Sequence, residues 1–404
     1  MMKRTLLLTL LILSTIACYV QTIAQWRGIE RNGIYHEKNL LTNWPADGPR
    51  LLWQIDSIGN GFASPIVTAD RIYIPGEIDS IGYMFAFTKK GDLVWKKEIG
   101  EEWTKNFPGS RSTPTFVDGL LYYCSSMGEI ICLDAVNGTK KWSVNMLKDL
   151  HGVNVRFGYT ESPLIDDERL FCFPGGKDTN IVALNRFTGQ LIWKSKGMAD
   201  SAAYCSPAMI RLPGKKIIVT LMIHHIIGVD AATGELLWSQ KMERTGDIHC
   251  NTPIYENGYI YWDDRGGNGI VKLELSTDGR SVREVWRNFK GGNIQGGSIK
   301  TGKYLYGSRY RPGRFESIDA ETGEVADSAK FNCGSTIFAD NMLYCYNDQG
   351  VMGLIRPDQG KLQIISSFKV TEGTKEHFAH PVIHDGILYI RHGTVLLAYD
   401  ISKK

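Results

Sequence analysis

The sequence predicts an all-β chain: an eight-bladed β-propeller of four-stranded antiparallel blades, closed by an N-terminal strand that completes the last blade. Three observations predict it. A phrase that starts at Ser64, SPIVTADRIY, returns as STPTFVDGLLY, ESPLIDDERLF, NTPIYENGYIY, STIFADNMLY and HPVIHDGILY. A second phrase follows the first: CLDAVNGTKKW ending at Trp142, ALNRFTGQLIW at Trp193, GVDAATGELLW at Trp238, and a looser AFTKKGDLVW at Trp95. The pair recurs every ~38 to 49 residues, a period at which self-similarity indicates propeller blades.

Each element has a local reason. The first phrase opens on a Ser/Thr-Pro step, alternates apolar and polar residues through an Asp/Asn-Gly type of turn and reaches an aromatic residue, which is hairpin chemistry. The second phrase adds two more short strands around a Gly turn. Aligning the steps puts blade starts at Pro65, Pro114, Pro163, Pro207, Pro253, Ser298, Thr336 and Pro381. The eighth copy runs through LLAYD to Asp400 without a Gly-x-x-x-Trp strand. LLWQI, Leu51 to Ile55, is a Trp-bearing strand with no first phrase ahead of it. Joining the two completes a blade and leaves only short, protected sheet edges. SIDAETGEVAD and LIRPDQGKLQI carry no Trp, so the repeat is degenerate in blades six and seven.

The chain divides into a signal peptide (residues 1–24), an N-terminal lead-in (25–50) and the propeller (51–404). Lys3 and Arg4 precede the apolar run Leu6 to Ala17, and the small residues Thr22 and Ala24 stand at −3 and −1 before Gln25, as export and cleavage require. Cys18 after Thr15-Ile16-Ala17 offers a lipid anchor as the alternative. Periplasmic or extracytoplasmic placement is expected. Trimming the lead-in through Trp44 is expected to cost far less stability than losing LLWQI.

Composition excludes several classes. The net charge of +3 falls to +1 once Lys3 and Arg4 leave with the leader, so no nucleic-acid face is indicated. No 18-residue apolar run follows the leader, which argues against a transmembrane span in the mature chain. Cys124 and Cys132 flank an SSMG turn and read either as a cross-strand disulfide or as two buried thiols. Cys205, Cys250 and Cys333 precede inner strands on different blades, without the C-x-x-C spacing or paired His of a metal site. No nucleophile elbow, zinc helix or phosphate loop is present.

The Ala-x-Asp-x-x-Thr-Gly-x-x-x-Trp phrase resembles the repeat of the PQQ-like propeller superfamily, which holds quinoprotein alcohol dehydrogenases and a propeller lipoprotein of the outer-membrane β-barrel assembly machinery. WRGIERNG (Trp26 to Gly33), WPADGPRLLW, GSRSTPTF and AAYCSPAMI resemble a bacterial, exported branch of it. For the dehydrogenases the resemblance implies a quinone between a Trp floor and a disulfide of adjacent cysteines, with calcium held by Glu and Asn and an Asp base. This chain has no adjacent cysteine pair and no C-x-x-C-H haem attachment. Trp95, Trp142, Trp193 and Trp238 stand at repeat positions, where large rings pack between blades. The reading that follows is a non-catalytic binding or scaffold propeller of the bacterial envelope with no cofactor, partnered by an envelope protein or a glycan. The alternative is a PQQ- and calcium-dependent dehydrogenase acting on an alcohol or sugar.

Loops that lead from one blade's outer strand to the next blade's inner strand converge at one end of the channel, where propellers commonly place function. They bring in Arg111, Arg156, Tyr159, Glu161, Tyr204, His249, Asn251, Gln295, His377 and His380. Such a ring of donors and acceptors either binds a ligand or hydrogen-bonds its own neighbours, as buried polar groups must.

Overall fold

The computed structural model describes residues 22–244, 246, 248–264, 267–292, 297–309 and 313–403. Gln295 and Cys18 lie outside them. Every regular element among the described residues is a strand. Eight antiparallel sheets form the blades of a propeller, each with its four strands ordered from the channel outward. Seven inner strands begin one residue after the predicted start, at Ile66, Thr115, Leu164, Ala208, Ile254, Ile299 and Val382; the seventh blade's begins at Gly334, two residues before Thr336.

Three strands precede the first blade: β1 (Ile23–Ala24), β2 (Ile34–Tyr35) and β3 (Arg50–Ile55). Strand β3 is the outer strand of the last blade. It pairs antiparallel with Val395–Asp400, setting Arg50 opposite Asp400 and Trp53 opposite Ala398. An Arg50–Asp400 ion pair at 2.8 Å marks the seam.

Neighbouring blades are joined at two radii, and the repeat encodes both. At the outer radius, five Trp residues, Trp53, Trp95, Trp142, Trp193 and Trp286, each lie on the next blade's turn glycine. The indole N–H donates to a carbonyl of that turn: Trp53 to Lys89, Trp95 to Ala135, Trp142 to Arg186, Trp193 to Ala231 and Trp286 to Ala320, at 2.9–3.3 Å. The ring occupies the space a Cβ would fill on Gly91, Gly138, Gly189, Gly234 and Gly323, all at positive φ. The turn is tied by its leading Asp or Asn: Asp230 Oδ1 accepts from the N–H groups of Ala232 and Thr233, and Gly234 N–H donates back to the Asp230 carbonyl. This is Asx-turn chemistry.

At the inner radius the Ser/Thr-Pro step does the joining. Ser64 N–H donates to Thr113 Oγ1, Thr113 N–H to Ser162 Oγ, and Ser162 N–H to Ser206 Oγ, each 3.0–3.1 Å. Proline follows because its lack of an N–H leaves no orphan donor there.

The lead-in is not a loose tail. Strand β1 pairs with the inner strand of blade two, β2 runs parallel to the inner strand of blade seven, and the residues between them cross the channel. Arg31 donates through Nε to the Pro207 carbonyl, through Nη1 to Pro163 and through Nη2 to Ser162, at 2.8–3.1 Å. Arg27 reaches the Ser298 carbonyl and Trp26 Nε1 the Thr252 hydroxyl. Burial lowers the Arg31 guanidinium to about 9 and that of Arg27 to about 10. A cavity of about 310 Å³ remains between this plug and the inner strands of blades one and eight. Further on, Leu40 and Trp44 enter the core of blades seven and eight. Trimming the chain through Trp44 therefore carries a cost of its own beside that of losing LLWQI: it strips two buried guanidinium forks from inner-strand carbonyls and opens a hole beside Tyr344 and Phe368.

The two cysteines beside the SSMG turn do not face each other. Cys124 stands opposite Ile130 and Cys132 opposite Tyr122, and both are free thiols. The two-residue offset takes them to different rungs of the ladder, and burial pushes the Cys132 thiol up to about 12.

Two outcomes test these joints. Gly189→Ala places a Cβ 2.8 Å from the Trp142 ring, whereas Gly119→Ala, also at positive φ, meets nothing within 4 Å. Both changes carry left-handed strain of about 1–2 kcal/mol; Gly189→Ala should cost roughly 1–3 kcal/mol more from overpacking, measured by denaturant melts. At the seam, Arg50 and then Ser402 hold Asp400 down at about 2. Its contribution is present above the unfolded carboxylate pKa of ~4 and is lost as pH falls toward 2. Asp400→Asn should cost no more than ~1 kcal/mol at pH 7, because Arg50 is solvent-exposed, and should flatten the acid limb of the melting curve between pH 4 and 2.

Candidate functional site

The loops from outer to inner strands meet over the end of the channel away from β1 and β2, and most of the polar side chains predicted there serve the protein itself. Tyr159 is fully buried, its hydroxyl donating to the Pro174 carbonyl. Tyr204 is buried in a left-handed conformation, and its hydroxyl accepts the Phe157 N–H. His249 has no exposed surface: Nδ1 lies 2.9 Å from the Asp264 carboxylate and Nε2 3.2 Å from the Ile223 carbonyl. Asn251 donates to the Asp263 carbonyl. Burial raises the Asp263 carboxyl to about 6, opposed by the Ser298 hydroxyl that donates to it. His377 stacks on His392 at 3.8 Å with its Nδ1 2.5 Å from the Tyr346 hydroxyl; burial, then His392, lowers it to about 4. His380 is buried against the Trp26 ring at 4.4 Å.

Glu161 differs in being incompletely served. It is buried, one oxygen accepts the Thr160 N–H at 3.0 Å, and the other has no hydrogen-bond partner among the described residues. Desolvation raises its carboxyl to about 7. A half-charged acid at neutral pH suits proton handling, yet the space beside it is lined by Cys124, Ile130, Met146 and Phe171 and is scarcely larger than a methyl group.

The feature the sequence reading missed is aromatic. Phe378, Phe107, Phe157 and Tyr204 form an arc across the mouth with successive ring centroids 6.0, 6.2 and 6.0 Å apart, and Phe62 flanks Phe378 at 5.4 Å. Each ring comes from a different loop. Arg111 lies over Phe62 and Arg156 over Phe157, at 5.7 and 5.0 Å, within cation–π range. Arg111 also donates to the Asn106 and Phe107 carbonyls, pinning Phe107 at φ 53 with 41% of its surface exposed. The signal was present in WTKNFPGSR, VRFGYTE and EHFAHP: an unrepeated Phe inside otherwise polar loops.

The seven described cysteines are single free thiols, all but Cys250 buried, and no group of three His, Cys, Asp or Glu among the described residues is placed to hold a metal ion. The repeat Trp residues that a stacking floor would need are engaged in blade contacts.

Comparison with known proteins points to the same fold. The model of the family described as outer membrane protein assembly factor BamB matches residues 81–328. BamB of Moranella endobia is 24% identical over 210 residues, which span 50% of this chain and 48% of that protein. Quinoprotein alcohol dehydrogenase PedH of Pseudomonas putida is 26% identical over 200 residues, 43% of this chain and 29% of that one. The chain thus spans less than half the length of either curated relative. The crystal structure of BamB from Moraxella catarrhalis superposes with a TM-score of 0.60 at 14% identity, over 88% of this chain and 98% of that one.

Glu161 yields a test of the mouth's chemistry. Because its folded pKa is raised, its contribution to stability is complete below the unfolded value of ~4.3 and is lost as pH rises through about 7. Glu161→Gln should remove that loss, leaving a protein whose melting temperature at pH 8 equals or exceeds the parent's and falls less than the parent's between pH 5 and 8, with the raised Asp263 carboxyl supplying what pH dependence remains.

Proposed function

We propose, for a chain that belongs to the outer membrane protein assembly factor BamB family of PQQ-like propellers, that it is an exported, non-catalytic scaffold of the bacterial cell envelope that binds a protein partner at the channel mouth. The observation that carries this reading is the division of labour there. Polar side chains that would orient a small substrate hydrogen-bond the backbone of neighbouring segments. What faces outward is a set of rings and guanidinium groups, the composition enriched at protein interfaces. The plug of Arg27, Arg31 and Trp26 closes the channel below, so a partner lies across the mouth and does not thread it. The quinone-dependent reading has the dehydrogenase relatives in its favour, while the described residues place no group of three His, Cys, Asp or Glu to hold its calcium.

A photo-activated cross-linking residue in place of Phe107 should yield a discrete adduct in intact cells, and one in place of Val285 on the outer strand of blade five should not. The purified protein, given calcium, the quinone and an artificial electron acceptor, should oxidise neither alcohols nor sugars. Equal adducts at both positions, or quinone-dependent turnover, would overturn the reading.

A further inference from the structure

Resting on the mouth as the working face, we propose that its occupant is an extended, acidic polypeptide segment with aromatic side chains at alternate positions. Spacing is the first argument. Centroids of the three arc rings that reach solvent, Phe378, Phe107 and Phe157, are 6.0 and 6.2 Å apart, and an extended strand presents same-face side chains every ~6.6 Å. A segment laid along the arc therefore meets one ring for each pair of its own residues. Ring contacts at such separations add to affinity beyond the area they bury.

Charge is the second argument. Arg111 and Arg156 sit on the arc, and Lys105 lies 5.5 Å from the Trp103 ring in the Phe107 loop. The acid nearest in influence to Arg111 is Glu102, whose pKa burial raises while the Tyr123 hydroxyl and the Ser126 and Trp103 N–H groups occupy its oxygens. Nε of Arg111 is buried with no hydrogen-bond partner. Carboxylates flanking the incoming aromatic residues would meet these guanidinium groups, where charge-assisted bonds are strongest.

Chemistry decides between polymer classes. Sugar hydroxyls need matched donors and acceptors, and those of Tyr159, His249 and Asn251 are turned inward. Phenyl rings and the cations beside them read aromatic and acidic side chains. Preorganisation helps: Phe107 is held by the two carbonyl bonds from Arg111, so little conformational entropy is lost on docking.

The test uses the purified full-length protein and fluorescein-labelled peptides in an anisotropy titration. The probe alternates Phe with Asp and Glu over six residues; its controls replace the acids by Asn and Gln, or group the Phe residues together. The alternating acidic peptide should bind saturably and at least tenfold tighter than either control, weakening with added salt. Phe107→Ser and Arg156→Glu, both at exposed positions, should each lose at least tenfold, and Arg156→Glu should regain binding to a peptide carrying Lys in place of Asp. Equal binding of the controls, an unchanged Phe107→Ser, or displacement of the peptide by an acidic oligogalacturonide would overturn the proposal. An adduct at Phe107 in cells without this peptide preference sinks the proposal and leaves the scaffold reading standing; no adduct sinks the reading itself.

Discussion

A tryptophan that requires a glycine in the next blade is the constraint from which the rest of the ring follows. The indole of each well-formed repeat needs two things from its neighbour: a carbonyl for its N–H and a residue without a Cβ beneath its ring. The turn glycine supplies the second because its positive φ already excludes most side chains. One dipeptide pair therefore fixes blade angle and turn type together. Where the pair fails, packing changes. Trp238 folds over Gly228, its own cross-strand neighbour, and its N–H has no partner among the described residues. Between blades six and seven a tyrosine takes over, Tyr304 covering Gly360.

The inner radius obeys a different rule. Eight strands that converge on a narrow axis turn carbonyls toward one another, and buried carbonyls need donors. Ser and Thr hydroxyls serve some of them, and the planar fork of Arg31 serves three at once, a task suited to the geometry of guanidinium. Arg391 does the same in blade eight, donating to the Gly59, Ala63, Pro75 and Gly393 carbonyls. Polar atoms near the axis are thus largely committed to holding the ring, which is why recognition falls to ring faces and cations at its rim.

Repetition made the fold legible. The Ser/Thr-Pro step marks inner strands because its hydroxyl and its missing N–H both serve the junction, and the isolated LLWQI marks the seam because a lone outer strand must find a three-stranded blade. Trp286 escaped notice since REVWRN lacks the Gly-turn phrase around it, although the ring lies on Gly323 like the others. The lead-in was opaque for a physical reason: Arg27 and Arg31 look like solvent-seeking residues until the entries of blades three, four and six supply their acceptors. The polar residues of these loops are named by the sequence, but sequence has no register for which way a loop side chain turns. The phenylalanines were passed over because a single apolar residue in a loop carries no period.

The seam couples the two ends of the chain in time as well as space. Strand β3 finds its partner some 340 residues later, at Val395–Asp400, and Arg31 lacks its inner-strand carbonyls until the loops before blades three and four exist. Neither end is finished until the other is present, and the loop entropy of that meeting falls on the last step. A chain delivered from its N-terminus would expose the first blade's flank and an unmatched edge strand throughout its emergence. Such edges recruit other strands, so the ring spends its synthesis in its most adhesive form and loses that character only when its final hairpin arrives.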